Sequence, residues 1–186
     1  FVHICVGPVN PTFDGEGIEP FTDLFKYTFP EIVLSNREIR DERSDFRLPV
    51  NEMILLGSHS DVEIYRCRET IAATPNYQAY LGKVNALRER FRDTLLLGTF
   101  RSRLGYSVDN PKIRSNAFVA GEELAVVLAN RFPKSQRVWV EVPGYVFEKF
   151  DSASGDVRME DGILILPEAA LAVALFRKNP QKGHSA

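Results

Sequence analysis

From Ile113 to Phe176 the chain is cut into short apolar runs by glycine and proline at regular intervals. The runs are Ile113–Val119, Leu124–Asn130, Arg137–Val142, Tyr145–Phe150, Asp156–Met159, Ile163–Leu166 and Leu171–Phe176. The breaks fall at Gly121, Pro133, Pro143-Gly144, Gly155, Asp161-Gly162 and Pro167. Short runs rich in β-branched side chains and closed by turn formers are strands. Several in succession predict an antiparallel β-sandwich. This all-β part is expected over 109–178, after a polar linker at 101–112, with a disordered tail over 179–186.

The first part, 1–108, has a different grammar. Phe1–Val6 reads as a buried strand, and a chain that begins inside a strand is expected to have lost what came before. Turn formers then make 7–23 a long loop. Phe21–Phe29 has the spacing of a short helix ending before Pro30. Glu31–Ser35 is a strand by its β-branched content, and the charged stretch 36–47 an exposed loop or frayed helix. Met53–Leu56, closed by Gly57, is a second apolar run. Asp61–Tyr65 alternates and is either a strand or a helix start.

The clearest element follows. Thr74 and Pro75 form a helix start, with proline where its missing N–H costs nothing. Tyr77, Tyr80, Leu81, Val84, Leu87, Phe91 and Leu95 then recur at helical spacing. Gly98 is expected to supply a left-handed stop. A helix of about 23 residues with such a stripe must lie on something large. The fold class is therefore α/β followed by all-β.

Composition removes several functions. The net charge is −2 and no basic face emerges, so nucleic acid is a poor partner. No apolar run approaches a membrane span. Cys5 and Cys67 are too few and too far apart for a disulfide framework or zinc site, which favours buried thiols in a reduced, cytoplasmic setting. No phosphate-binding glycine motif is present, so no cofactor is expected. Asp14, Glu16 and Glu19 lie on the glycine-rich loop, but their spacing matches no defined calcium loop and no metal is expected.

The second half resembles the C-terminal antiparallel domain that follows the catalytic barrel of many glycoside hydrolases. The matching segments are Leu124–Asn130, Gln136–Gly144, Gly162–Leu166 and Leu171–Phe176. The first half resembles the end of the barrel in uncharacterised hydrolase-like barrels related to α-galactosidases, through Leu24–Glu31, Asn51–Gly57, Asp61–Arg66 and Leu87–Leu95. The resemblance implies that Val2–Gly7, Glu31–Ser35 and Met53–Gly57 are the last strands of a (β/α)8 barrel, and the long helix its closing outer helix. A whole barrel takes about 250 residues. Residues 1–108 cannot close one, so the rest of the barrel, or self-association, is the expected partner, alongside carbohydrate.

Barrel enzymes place reactive groups at the C-terminal ends of strands. That rule selects Asn10 after the first strand, Asn36, Arg37 and Glu38 after the second, and Ser58, His59 and Asp61 after the third. Glycoside hydrolysis needs two carboxyl groups flanking the scissile bond. The resembling enzymes generally draw that pair from earlier strands, so no residue here receives a catalytic role. Asn36, Arg37 and His59 are the candidates for hydrogen bonding in a sugar subsite, against the plainer reading of a solvated charge run and a loop histidine. Trp139 alternates with Val138 and Val140, which places the valines in the core and the indole outside. It either packs on the neighbouring domain, lies on plain surface, or contacts sugar.

Three functions follow. The first is the C-terminal segment of a carbohydrate-active hydrolase, inactive alone, with the β domain supporting the barrel. The second is a stand-alone carbohydrate- or protein-binding module with a shallow aromatic-lined site on the sandwich. The third is a structural fragment without a ligand.

Overall fold

The computed structural model describes residues 4–6, 24–40, 46–64 and 69–180. Three strands, β1 (Ile4–Val6), β2 (Leu34–Arg40) and β3 (His59–Ile64), form a parallel sheet in the order β1-β2-β3. Helix α1 (Leu24–Thr28) precedes β2, where a short helix was expected, and α2 (Arg47–Leu55) connects β2 to β3. Helices α3 (Pro75–Arg90) and α4 (Arg92–Leu95) follow. The Asp14–Glu19 loop and Cys67 lie outside the described residues.

Two expectations fail in this part, for identifiable reasons. Residues 36–40 are not an exposed loop or helix: they continue β2, the central strand, whose backbone pairs with β1 on one edge and β3 on the other. β1 pairs with Leu34–Asn36, and β3 pairs with Ser35–Arg40, so backbone hydrogen bonding to β3 outweighs the poor strand propensity of the charged residues. Met53–Gly57 is not a strand either. Pro49 through Leu55 are all buried in α2, so this helix is apolar nearly all round, and its sequence run mimics a buried strand.

The end of α2 carries the signal that separates the two. The Ser58 N–H donates to the Met53 carbonyl at 3.0 Å, and the Gly57 N–H to that of Ile54 at 3.0 Å. This is a Schellman stop with Gly57 at φ 67°. A Cβ on Gly57 would also stand 2.8 Å from the Phe118 ring. Gly57→Ala is expected to cost about 1–3 kcal/mol, from strain and overpacking together. A urea midpoint unchanged from wild type would refute it.

The long helix is shorter than expected. It breaks at Phe91 (φ −116°, ψ 35°) and resumes as α4. Every residue of its predicted stripe, from Tyr77 to Leu95, is nevertheless buried. Thr74 does not cap it: its hydroxyl donates backwards to the Ile71 carbonyl at 3.0 Å. Gly98 is not a left-handed stop. It is needed because a Cβ there would lie 2.3 Å from the Thr94 carbonyl oxygen and 2.9 Å from that of Val119.

The remainder is antiparallel. Its strands are β4 (Thr99–Ser102), β5 (Ser107–Val108), β6 (Ile113–Ala120), β7 (Glu123–Asn130), β8 (Gln136–Val138), β9 (Val140–Glu141), β10 (Tyr145–Ser152), β11 (Arg158–Glu160), β12 (Ile163–Leu166) and β13 (Leu171–Lys178). A five-stranded sheet runs β10-β13-β7-β6-β4 and a three-stranded sheet β11-β12-β8, while β5 pairs with β9. The expected linker 101–112 therefore contains strand, and pairing in this part begins at Thr99 rather than near residue 109. Asn179, expected in the tail, is held by its N–H donating to the Gly144 carbonyl at 2.8 Å.

The large sheet is buried on both faces. Along β7, Ala125, Val127 and Ala129 face the helices, while Leu124, Val126 and Leu128 face the small sheet. Along β13, Leu171, Val173 and Leu175 face the helices, and Ala172, Ala174 and Phe176 the small sheet. Two-faced burial is why both strands read as continuous apolar runs. The first core unites α2, α3 and α4 with this sheet, so the surface that the helical stripe required is the β part of the same chain.

Polar bonds fix α2 on that surface. Asn116 donates its Nδ2 to the Leu55 carbonyl at 3.0 Å, which satisfies a helix-end acceptor. Asn51 donates to the Ala169 carbonyl at 2.9 Å and accepts from the Tyr80 hydroxyl at 2.5 Å. Arg114 of β6 pairs with Glu52. No helix among the described residues is long and apolar enough to cross a membrane.

Candidate functional site

The first place to look is the parallel sheet. Asn36 and Arg37 are the third and fourth residues of the seven in β2, and they pair with Ser60 and Asp61 of β3. His59 opens β3 and pairs with Ser35. The expectation that His59 follows a strand rested on a strand at Met53–Gly57. With that segment helical, His59 stands at the N-terminal edge of the sheet, and the C-terminal ends are Arg40 and Ile64. Asn36, Arg37 and His59 thus share one strand pair, but not the C-terminal edge from which they were selected. Asn10 lies outside the described residues.

His59 and Arg88 line two adjoining concavities of about 310 and 240 Å³. Sequence reasoning did not single out Arg88. It is only 5% exposed, and burial pushes its guanidinium down to about 10, still charged at neutral pH. Nη1 donates to the Ser58 carbonyl at 2.9 Å, while Nη2 is buried without a hydrogen-bond partner among the described residues. The neighbouring carboxylate, Glu89, is taken by Arg92 at 2.8 Å. This region offers a cationic donor and a histidine. Among the described lining residues, Glu89 is the acid of the larger concavity and Glu31 that of the smaller.

The second place is a groove of about 390 Å³ where the two antiparallel sheets diverge. This volume falls in the range of small-molecule sites. Leu164, Ala174 and Phe176 are its buried inner lining, and Trp139, Val146 and Phe147 stand on its rim at 46%, 52% and 43% exposure. These positions follow from the strands. The expected single strand 137–142 is interrupted at Trp139, where the chain leaves the small sheet and β9 turns to β5. Asp109 clamps the break: its Oδ1 accepts from the Trp139 N–H at 2.8 Å, and its N–H donates to the Trp139 carbonyl at 3.3 Å.

The indole rests on Gly162. A Cβ there would lie 2.8 Å from the six-membered ring, so only glycine lets the ring lie down. The same residue completes the two-residue Asp161-Gly162 hairpin, with φ of 50° and 80°, the pattern of a type I′ turn. Phe147 is steadied by an edge-on contact with Phe176, 5.7 Å between ring centroids. Val138 is buried, as the alternation predicted, and Trp139 is half exposed.

No family model matches the chain, and no curated protein matches it. Solved structures do, among them α-amylases and a glycoside hydrolase family 30 xylanase. An α-amylase from Geobacillus thermoleovorans, complexed with acarbose, aligns with a TM-score of 0.53 and 16% identity, over 79% of this chain and 39% of that one. An Anoxybacillus α-amylase gives 0.48 and 16% identity over 79% and 38% of the two chains. A glycoside hydrolase family 30 xylanase from Clostridium acetobutylicum gives 0.40 and 10% identity over 78% and 48%. The chain thus spans less than half the length of each of these enzymes. At 16% identity the likeness to the Geobacillus enzyme is one of fold.

Proposed function

We propose that this chain is the closing portion of a carbohydrate-active hydrolase, of the barrel type related to α-galactosidases, and that it is inactive alone. In this reading β1, β2 and β3 are the last strands of a (β/α)8 barrel whose earlier strands carry the catalytic carboxylates. The antiparallel part supports the barrel through the core it shares with α2 and α3. The observation that carries the reading is the strand–helix–strand–helix–strand order of a parallel sheet seated on a two-layer β unit, in a chain with the fold likeness described above. Three strands do not close a barrel. Asn36 and Arg37 remain in this reading as hydrogen-bonding groups for sugar. His59, beside Arg88, belongs to the opposite edge of the sheet.

The test is the reading frame upstream of Phe1 and the activity of its product. An upstream barrel pattern should be found, and the complete protein should hydrolyse at least one of a panel of aryl glycosides, while the 186-residue chain hydrolyses none. Turnover by the 186-residue chain, or a complete protein inert toward every glycoside, would sink the reading.

The second reading, a carbohydrate- or protein-binding module without catalysis, is favoured by one observation, the aromatic groove at Trp139. A shallow aromatic site between the sheets is what such a module requires.

A further inference from the structure

We propose that the groove between the two antiparallel sheets binds saccharide, with Trp139 and Phe147 as stacking faces and Glu141 and Tyr145 as hydrogen-bonding partners. The choice of saccharide as ligand class rests on the carbohydrate reading above. The geometry of the site does not.

Pyranose rings present apolar C–H faces and a polar circumference. They are met by aromatic rings fixed in place, with hydroxyl or carboxylate groups beside them. Both requirements are present. The Trp139 backbone is clamped by two hydrogen bonds to Asp109, and its ring is supported from one side by Gly162. Nearly half its surface stays open. A ring already immobilised loses little side-chain entropy on binding. Phe147 is held against Phe176 and is exposed to a similar degree.

The polar partners are uncommitted. Among the described residues, neither the Glu141 carboxylate nor the Tyr145 hydroxyl has a hydrogen bond or ion pair, although both line the groove. Of the other carboxylates on these strands, Glu160 is engaged by Arg137 and Arg158, and Glu148 and Glu123 by Arg177. A free carboxylate beside two open aromatic faces suits a ligand that donates several hydroxyl hydrogens. A purely apolar partner would leave Glu141 desolvated and unpaired, at a cost in affinity.

The chain contains a single tryptophan, so fluorescence excited at the indole band reports this site alone. The 186-residue chain is titrated with maltotriose, cellotriose and xylotriose. At least one should give a saturable change in Trp139 emission. Phe147→Ala and Glu141→Gln should each weaken that binding by about fivefold or more, without shifting the thermal midpoint in proportion. No emission change with any trisaccharide overturns the proposal, as does equal binding by both variants. The apolar dye 1-anilinonaphthalene-8-sulfonate provides a counter-test. Dye uptake that saccharide does not displace assigns the groove to an apolar partner and overturns the proposal, as does concentration-dependent self-association that buries Trp139. A failure here with glycosidase activity intact in the complete protein sinks the groove alone. Binding here with an inert complete protein sinks the hydrolase reading alone.

Discussion

Glu52→Ala is expected to destabilise the chain by about 3–5 kcal/mol, because it removes a buried carboxylate that compensates a largely buried guanidinium. Glu52 is 3% exposed, within α2, and its carboxylate meets Arg114 of β6. Burial lowers the Arg114 pKa, an effect that the Glu52 charge opposes and those of Arg131 and Arg103 reinforce. Removing the carboxylate leaves a cation with less compensation in a poorly solvated seam. The control is the double variant Glu52→Leu, Arg114→Met. Taking out both charges and keeping the volume is often neutral or stabilising. Urea denaturation should therefore rank the single variant well below wild type and the double variant close to it. A single variant within about 1 kcal/mol of wild type would mean that water reaches the pair, and would remove its role as the fastening between helix and sheet.

Tyr77→Ala should be comparably severe, at about 3–5 kcal/mol, for a different reason. Tyr77 is fully buried and meets Phe46 edge-on at 5.5 Å. It sits in one core with Val127, Ala129, Leu171 and Val173 of the large sheet. The loss should therefore spread into the β part. Helical circular dichroism and Trp139 emission should fall together, at a midpoint lowered from wild type, as one cooperative transition. A Trp139 transition left at the wild-type midpoint while the helices melt earlier would show two separate units and contradict the shared core.

Legibility in the sequence followed a physical line. β7 and β13 were readable because strands buried on both faces have nowhere to place polar residues. The stripe from Tyr77 to Leu95 was readable because a helix must bury one side. α2 was misread because a helix buried all round loses its periodicity, and a short apolar run fits either element. The decisive signal was Gly57 as a helix stop, with Pro49 tolerable near the helix start. β2 was misread because its charged half is extended by pairing with β3, a distant partner that no local window contains.

The candidate site divides in the same way. Trp139 was recognisable as an outward residue from its neighbours. Its fixed posture came from Asp109 and Gly162, each more than twenty residues away in sequence. His59 was selected by a rule about strand ends and misplaced because the strand was misplaced. Arg88 gave no sequence signal, since an arginine in a charged helix looks solvated until a second element covers it.

The sequence by itself determined that a helical, mixed part precedes a run of antiparallel strands, because periodicity and turn chemistry are local properties. It also determined which side chains of the long helix and of β7 and β13 are buried. Only the tertiary structure decided what covers what. The large sheet, rather than a missing neighbour, receives the helical stripe, and the two sheets part at Trp139 to leave a groove. Those outcomes depend on pairing between distant segments and on the removal of backbone groups from water, and neither is written in any short stretch of chain.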